Sequence, residues 1–320
     1  MSQNAKGALL ALLAFAVYAT GDVAVKVLGG IYSPIQIIFF SGLFSFPLAM
    51  FMIMRDPQPG TLLPVHPWWT AFRTVATLVT GVSAFYAFSV LPLAQTYTIL
   101  FASPLLITLL AIPLLGERVR IRRGLAVMVG LAGVLVVLRP GETDLSAGHI
   151  AALVAAFGGS FASVIVRKIG ADERPIVLML YPMAANFIVM GALLPFIYIP
   201  MPIEHLGLIA LLAIFGTAGG LIIIAAYTAG EAVIVAPMQY SQILWATFYG
   251  YLFFSESISM NTAVGAAIII ASGLYIVLRE SGGSASQNTP VLRTRSRPET
   301  GTSLRVGSFL KIRLGLKAGQ

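Results

Sequence analysis

The sequence contains no cysteine, and only 10% of its 320 residues are charged. The lack of cysteine excludes disulfide bonds, thiolate metal sites and cysteine nucleophiles. A soluble domain carries about 25% charged residues, so this chain has too few to cover a globular surface. Hydrophobic residues make up 58% of the sequence, and its mean hydropathy is +0.90. These values predict an integral membrane protein.

Patterns typical of enzymes and cofactor sites are missing as well. The three histidines, His66, His149 and His205, are each expected in a loop, which argues against a histidine metal cluster in the bilayer. No glycine-rich phosphate loop is present, and the acidic residues are scattered rather than paired. We therefore expect no enzyme activity, no catalytic residue, no metal and no cofactor. The net charge of +8 falls largely in segment 280–320, so it does not indicate binding of nucleic acid.

The apolar residues form long runs separated by turn residues such as Ser33-Pro34 and Pro140-Gly141. A membrane-spanning helix needs about 20 mostly apolar residues. By that measure the expected fold is an all-α integral membrane protein with ten spans. The predicted spans are 7–28, 34–54, 68–90, 92–115, 121–138, 149–166, 176–197, 206–229, 231–254 and 260–278.

Lysine and arginine are unevenly divided between the two ends of these spans. One side receives Lys6, Arg55, the arginines between positions 118 and 123, and the basic C-terminal segment. The other side receives only Lys26 and Arg139. Positively charged loops stay preferentially in the cytoplasm, so both termini are predicted to be cytoplasmic.

The two halves of the sequence resemble each other. Leu115-Gly116-Glu117 closes the fourth predicted span and Phe254-Ser255-Glu256 closes the ninth, with Phe101 and Tyr240 at matching places upstream. Because a repeat of five spans is odd, the second copy must enter the membrane inverted. Inverted repeats are typical of secondary transporters. We expect a first repeat at 7–140, a second repeat at 148–279, and a disordered basic cytoplasmic tail at 280–320.

The run from Leu93 to Leu106, the closing Leu114-Leu115-Gly116-Glu117 and the segment Gly130-Leu131-Ala132-Gly133-Val134 resemble the EamA repeat of the drug/metabolite transporter superfamily. The resemblance covers about residues 7–280 and is looser in the second half, where Ser255 replaces the glycine before the glutamate. Arg73, the run Ala84-Phe85-Tyr86-Ala87 and segment 236–246 are most similar to a bacterial branch that includes riboflavin and S-adenosylmethionine uptake proteins. The resemblance implies a transporter of a small organic metabolite in the inner membrane of a bacterium. Other members of the family export amino acids and other metabolites.

Polar and aromatic side chains gather in the third, fourth, seventh and ninth spans. Glutamine is costly in lipid unless it faces a polar cavity or bonds to another helix, and aromatic faces stack on planar ligands. Some of these residues would serve as contacts between helices, but we expect the glutamines and tyrosines of the fourth and ninth spans to line a cavity. The candidates are Tyr86, Gln95, Tyr97, Phe101, Asn186, Gln239, Tyr240, Gln242 and Trp245.

An aromatic, uncharged lining favours a neutral planar solute, so riboflavin uptake is the first prediction. S-adenosylmethionine uptake is the alternative, because this substrate is a cation and Asp22 could bind it. Export of an amino acid or another metabolite is a further alternative, and a membrane scaffold that transports nothing is the least favoured. The expected partners are the substrate, the lipid bilayer and, as one option, a second copy of the chain.

The charged residues within or beside the spans each allow two interpretations. Asp22 and Lys26 are four residues apart, so they could form a gating or coupling site or an ordinary helical ion pair. Arg73 could bind substrate, but contact with a neighbour or the interface is favoured. Glu117 and Glu256 are expected to anchor the turns after their spans by accepting backbone or arginine hydrogen bonds, rather than to couple transport to protons.

Overall fold

A computed structural model describes residues 3–54, 61–117, 121–139, 145–170 and 172–281. The predicted tail lies outside these ranges, apart from the residues that end the last helix. The first repeat contains α1 (Gln3–Gly29), α2 (Pro34–Met54), α3 (Pro67–Val90), α4 (Leu93–Leu100), α5 (Ser103–Leu115) and α6 (Ile121–Leu138). The second contains α7 (Ala147–Ile169), α8 (Pro175–Ile197), α9 (Ile203–Ala229), α10 (Ala232–Val235), a 3-10 helix (Ala236–Ser241), α11 (Gln242–Phe254) and α12 (Met260–Ser281).

The described residues are helical throughout, apart from the segments that connect the helices. In those residues, 7 helical stretches are long and apolar enough to cross a membrane, and Pro34–Pro47 and Gly124–Leu138 are shorter apolar helices. The chain is therefore an all-α, multi-pass membrane protein, as the composition predicts. The count of ten spans and the side on which the termini lie stay predictions.

Two of the predicted spans are interrupted rather than continuous helices. The fourth breaks between α4 and α5, and the ninth changes into the 3-10 helix before α11. Pro104 lies at the start of α5 and Pro237 at the start of the 3-10 helix. Proline lacks an N–H group and its ring clashes with the preceding turn, which accounts for both breaks. Irregular backbone at membrane depth is tolerated where protein surrounds it, and Phe101 at the first break is only 1% exposed.

The two repeats are interleaved. α1 packs along α9, α3 along α7 and α6 along α12, so each of these pairs joins a helix of one repeat to a helix of the other. Glycine allows the close approach: a Cβ atom added to Gly7 would lie 2.7 Å from Cα of Gly230, and one added to Gly148 would lie 2.5 Å from a methyl of Val90. Such contacts between small residues drive helix association where apolar surface alone does not. The face at which α1 begins is called the N-face below, and the face at which it ends is called the distal face.

The matching motifs Gly116-Glu117 and Ser255-Glu256 are the C-terminal caps of α5 and α11. Gly116 and Ser255 both have left-handed backbone angles, with φ of 68° and 53°. The next N–H in each case bonds back into the helix, from Glu117 to the Ala111 carbonyl at 3.3 Å and from Glu256 to the Gly250 carbonyl at 3.0 Å. This six-to-one bond after a left-handed residue is the Schellman arrangement. Ser255 therefore performs the same turn as glycine, but with a side chain that the left-handed region disfavours.

Replacing Ser255 by glycine is expected to raise the stability of the protein by about 1 kcal/mol, because the left-handed strain of a residue with a Cβ atom is removed. The measurement is thermal unfolding in detergent, followed by tryptophan fluorescence. Gly116→Ser is the matched control: no atom lies within 4 Å of an added Cβ at Gly116, so it should lower stability by a similar amount. A lower unfolding temperature for Ser255→Gly would show that the serine side chain stabilises the turn.

Candidate functional site

The interior of the bundle holds a buried carboxylate. Asp22 lies in α1 and is only 3% exposed. The hydroxyl of Tyr97, in α4, donates a hydrogen bond to this carboxylate. The side-chain amide nitrogen of Gln242, at the start of α11, donates to the Tyr97 hydroxyl over 3.2 Å. Tyr97 and Gln242 are both fully buried, so these three side chains, called the Asp22 cluster below, form a hydrogen-bonded chain between the two repeats.

Aromatic rings surround the cluster on one side. The ring centroid of Tyr97 lies 5.1 Å from that of Phe88 and 5.9 Å from that of Phe101. Phe101 in turn lies edge-on to Tyr240, at 5.2 Å. Phe101 and Tyr240 occupy matching places in the two repeats, so the repeats meet at this contact. In this conformation the predicted aromatic lining is packed ring against ring, and all four rings are buried.

The other predicted lining residues lie apart from the cluster. At the distal face, Nε2 of Gln95 is 3.0 Å from Nε2 of His149, which is a bond between α4 and α7. Trp245 stacks on Tyr249 with centroids 6.2 Å apart. The remaining three are half-buried on α3, the 3-10 helix and α8, namely Tyr86, Gln239 and Asn186. The structure therefore brings Tyr97, Phe101, Tyr240 and Gln242 together and leaves the others outside that group.

Arg73 and the histidines have structural partners. Arg73 is 5% exposed, and its Nη1 donates to the Leu178 carbonyl at 2.5 Å, which ties α3 to α8 and favours the neighbour interpretation. The expectation that all histidines lie in loops was wrong for two of them. His149 lies in the first turn of α7, where its ring accepts the Ser146 N–H at 3.2 Å, and His205 lies in the first turn of α9. His149 forms a capping box with Ser146 at the start of α7, whereas Nδ1 of His205 lies 2.7 Å from the hydroxyl of Tyr32.

Lys26 forms its ion pair across the repeats. Its Nζ lies 2.6 Å from a carboxylate oxygen of Glu256, and it also donates to the Leu91 carbonyl at 2.5 Å. The other oxygen of Glu256 accepts the Leu93 N–H at 2.9 Å. Lys26 thus pairs with an acid of the second repeat, whereas the sequence spacing suggested Asp22 on its own helix. The corner between α3 and α4 is held to α1 and α11 at the distal face.

An equivalent pair lies at the N-face, with the repeats exchanged. Glu117, at the end of α5, pairs with Arg167, near the end of α7. The side chain of Glu117 is 5% exposed and that of Arg167 is 13% exposed. In the distal pair, Lys26 is 11% exposed and Glu256 is 17% exposed. In each pair a motif glutamate of one repeat binds a cation near the end of the first helix of the other repeat. Contacts of this kind with a cation are what we expect of Glu117 and Glu256 if each anchors the turn after its helix.

A buried glutamine that is not among the candidates predicted from the sequence also joins the repeats. Gln36 in α2 is fully buried. Its amide donates to the Ile199 carbonyl at 2.7 Å and accepts the Ile199 N–H at 3.0 Å. The Gln36 side chain therefore satisfies both backbone polar groups of Ile199, in the segment between α8 and α9, which have no helical partner among the described residues. The signal was present in the sequence, since glutamine in an apolar helix needs a hydrogen-bonding partner.

Removing either member of the Lys26–Glu256 pair should leave a partly buried charge and destabilise the protein by about 3 kcal/mol. The double variant Lys26→Met with Glu256→Gln should lose clearly less than the sum of the two single losses, because the members are coupled. Thermal and chemical unfolding of the four proteins gives the coupling.

The control is Asp172→Asn, which removes the exposed pair between Asp172 and His66, 3.2 Å apart with 63% and 38% exposure. An exposed pair should contribute no more than about 0.5 kcal/mol. Additive losses at Lys26 and Glu256 would mean that the distal pair contributes nothing as a pair.

Both halves of the sequence match a known protein family. The model of the EamA-like transporter family matches residues 5–139 and again residues 146–278. The chain is 26% identical over 273 residues to the S-adenosylmethionine uptake transporter of Rickettsia bellii (strain RML369-C), a match that covers 84% of this chain and 92% of that protein. It is 24% identical over 278 residues to the Pseudopaline exporter CntI of Pseudomonas aeruginosa (strain UCBPP-PA14), covering 86% of this chain and 97% of that one.

The crystal structure of another protein superimposes on this chain with a TM-score of 0.55 and 20% sequence identity. The match covers 88% of this chain and 100% of the other. At that identity the likeness shows a shared fold. The family model, in contrast, matches each half of the sequence once, and the two matches together cover most of the chain. The chain belongs to the EamA-like transporter family.

Proposed function

We propose that this protein is a secondary transporter that carries a small organic cation, with S-adenosylmethionine as the first candidate, across the inner membrane of a bacterium. The observation that carries the proposal is the burial of the Asp22 carboxylate, 3% exposed, inside a membrane helix bundle, one helical turn before Lys26. Ionisable side chains are expensive inside a membrane and usually serve substrate or ion binding. A carboxylate at this position attracts a positively charged substrate.

The choice of substrate follows from charge and from the relatives. S-adenosylmethionine carries a positively charged sulfonium, which a carboxylate attracts strongly in a medium of low dielectric constant. Relatives in several Rickettsia species are named S-adenosylmethionine uptake transporters. The names of the relatives do not support riboflavin, and a neutral flavin has no need of Asp22. The alternative predicted from the sequence therefore replaces riboflavin as the first candidate.

The inverted repeats suit transport by alternating access. In this proposal the two repeats move against each other around the Asp22 cluster, where both interrupted helices meet. Discontinuous helices at the interface of inverted repeats are the usual place of a substrate site. The Lys26–Glu256 pair would close the distal, periplasmic face and the Glu117–Arg167 pair the cytoplasmic face.

Export of a metabolite is the second candidate. The match to the Pseudopaline exporter CntI covers 86% of this chain, and the match to the uptake transporter of Rickettsia bellii covers 84%. The fold serves both directions, because an inverted repeat presents the same site alternately to either face. Direction therefore has to be measured with the substrate on each side of the membrane.

Asp22→Asn should lower the uptake of radiolabelled S-adenosylmethionine into proteoliposomes at least tenfold, because the amide can still accept the Tyr97 hydrogen bond but no longer attracts a cation. The control is Glu204→Gln, which removes an exposed carboxylate in the first turn of α9 and should leave the uptake unchanged. Thermal unfolding checks that both variants are folded. Saturable riboflavin uptake without S-adenosylmethionine uptake by the unmodified protein would overturn the proposal.

A further inference from the structure

The hydrogen-bonded chain of the Asp22 cluster has a fixed direction. A tyrosine hydroxyl has one proton, and Tyr97 donates it to the carboxylate of Asp22. The atom of Gln242 that lies 3.2 Å from this hydroxyl must therefore be the amide nitrogen, because two acceptors without a proton between them repel. The opposite atom of the amide, Oε1, then points away from Tyr97.

This carbonyl oxygen has no hydrogen-bond partner within the described residues, although Gln242 is fully buried. The hydroxyl oxygen of Ser241, the preceding residue, is also buried and has no hydrogen-bond partner within the described residues. A buried amide oxygen without a partner costs free energy, and here it occurs beside the buried carboxylate and at the junction of the 3-10 helix with α11. The position is costly for the protein alone but suited to a ligand that donates an N–H bond.

We propose that Gln242 is a specificity-determining residue, whose Oε1 accepts a hydrogen bond from an N–H group of the substrate while Asp22 binds the positive charge. The inference rests on the proposed function and narrows the substrate class to cations that also carry an N–H donor. S-adenosylmethionine has two groups of this kind, its α-ammonium and its exocyclic adenine amine.

A site of this type discriminates strongly against ligands that lack the donor. When a buried acceptor is designed for a substrate N–H, an analogue without that group leaves the acceptor unpaired, and the loss is much larger than for a missing methyl group. Removing the acceptor from the protein removes this penalty. The signature of the proposal is thus a change in relative affinity, which a merely structural residue would not produce.

The test is competition for uptake of radiolabelled S-adenosylmethionine into proteoliposomes. The competitors are unlabelled S-adenosylmethionine and two analogues that keep the sulfonium, one without the α-amino group and one with the adenine amine methylated twice. The unmodified protein should bind one of the analogues at least tenfold more weakly. Gln242→Met should bind S-adenosylmethionine about tenfold more weakly but that analogue no worse than the unmodified protein does.

The control is Gln3→Met, which changes an exposed glutamine at the start of α1 and should keep the full discrimination. If Gln242→Met does not fold, Gln242→Asn withdraws the acceptor by one methylene group and should lose the discrimination in the same way. Equal weakening of all three ligands by the Gln242 variant, or no discrimination by the unmodified protein, would overturn the inference alone. No uptake of S-adenosylmethionine by the unmodified protein would overturn the proposed function and this inference with it.

Discussion

A carboxylate inside an apolar helix bundle has to be bound by other groups of the protein, and in this molecule the hydrogen bond from Tyr97 to Asp22 meets that need. The bond joins α1 to the short helix α4, one turn before the first helix break. It also commits the only proton of the Tyr97 hydroxyl, which orients the amide of Gln242 after the second break. The hydrogen bonds therefore link the buried charge in α1 to both interrupted helices, and they also determine how the Gln242 amide is oriented.

The symmetry of the repeats extends to the faces of the bundle but not to its centre. Lys26 and Arg167 take equivalent places at the ends of α1 and α7, and each meets the motif glutamate of the other repeat. Four residues before these cations, however, the first repeat has Asp22 and the second has Ser163, whose hydroxyl bonds within its own helix to the Gly159 carbonyl at 2.8 Å. The two faces thus carry equivalent ion pairs, whereas among the described residues the buried carboxylate one turn before the cation belongs to the first repeat alone.

Composition and local motifs predict much of this fold, because composition depends on whether the chain faces water or lipid, and motifs depend on local backbone conformation. The low content of charged residues requires a membrane protein, and the Gly116-Glu117 motif by itself indicates where α5 ends. The partner of Lys26 could not be predicted, since i,i+4 spacing points to Asp22 and only the packing of interleaved repeats brings Glu256 within 2.6 Å. The orientation of Gln242 was equally inaccessible, because it depends on which acceptor receives the proton of Tyr97.

The packing of the aromatic residues bears on the prediction of a neutral planar substrate. Tyr97, Phe101 and Tyr240 suggested a surface for stacking a planar, neutral ligand, yet their rings are packed against one another at centroid distances of 5.2–5.9 Å. Ring packing of this kind stabilises a helix contact by itself, so aromatic content does not require an aromatic ligand. A buried carboxylate is different, because its desolvation is recovered only by opposite charge or strong donors. A cation with N–H groups can provide both, and a neutral flavin provides no charge.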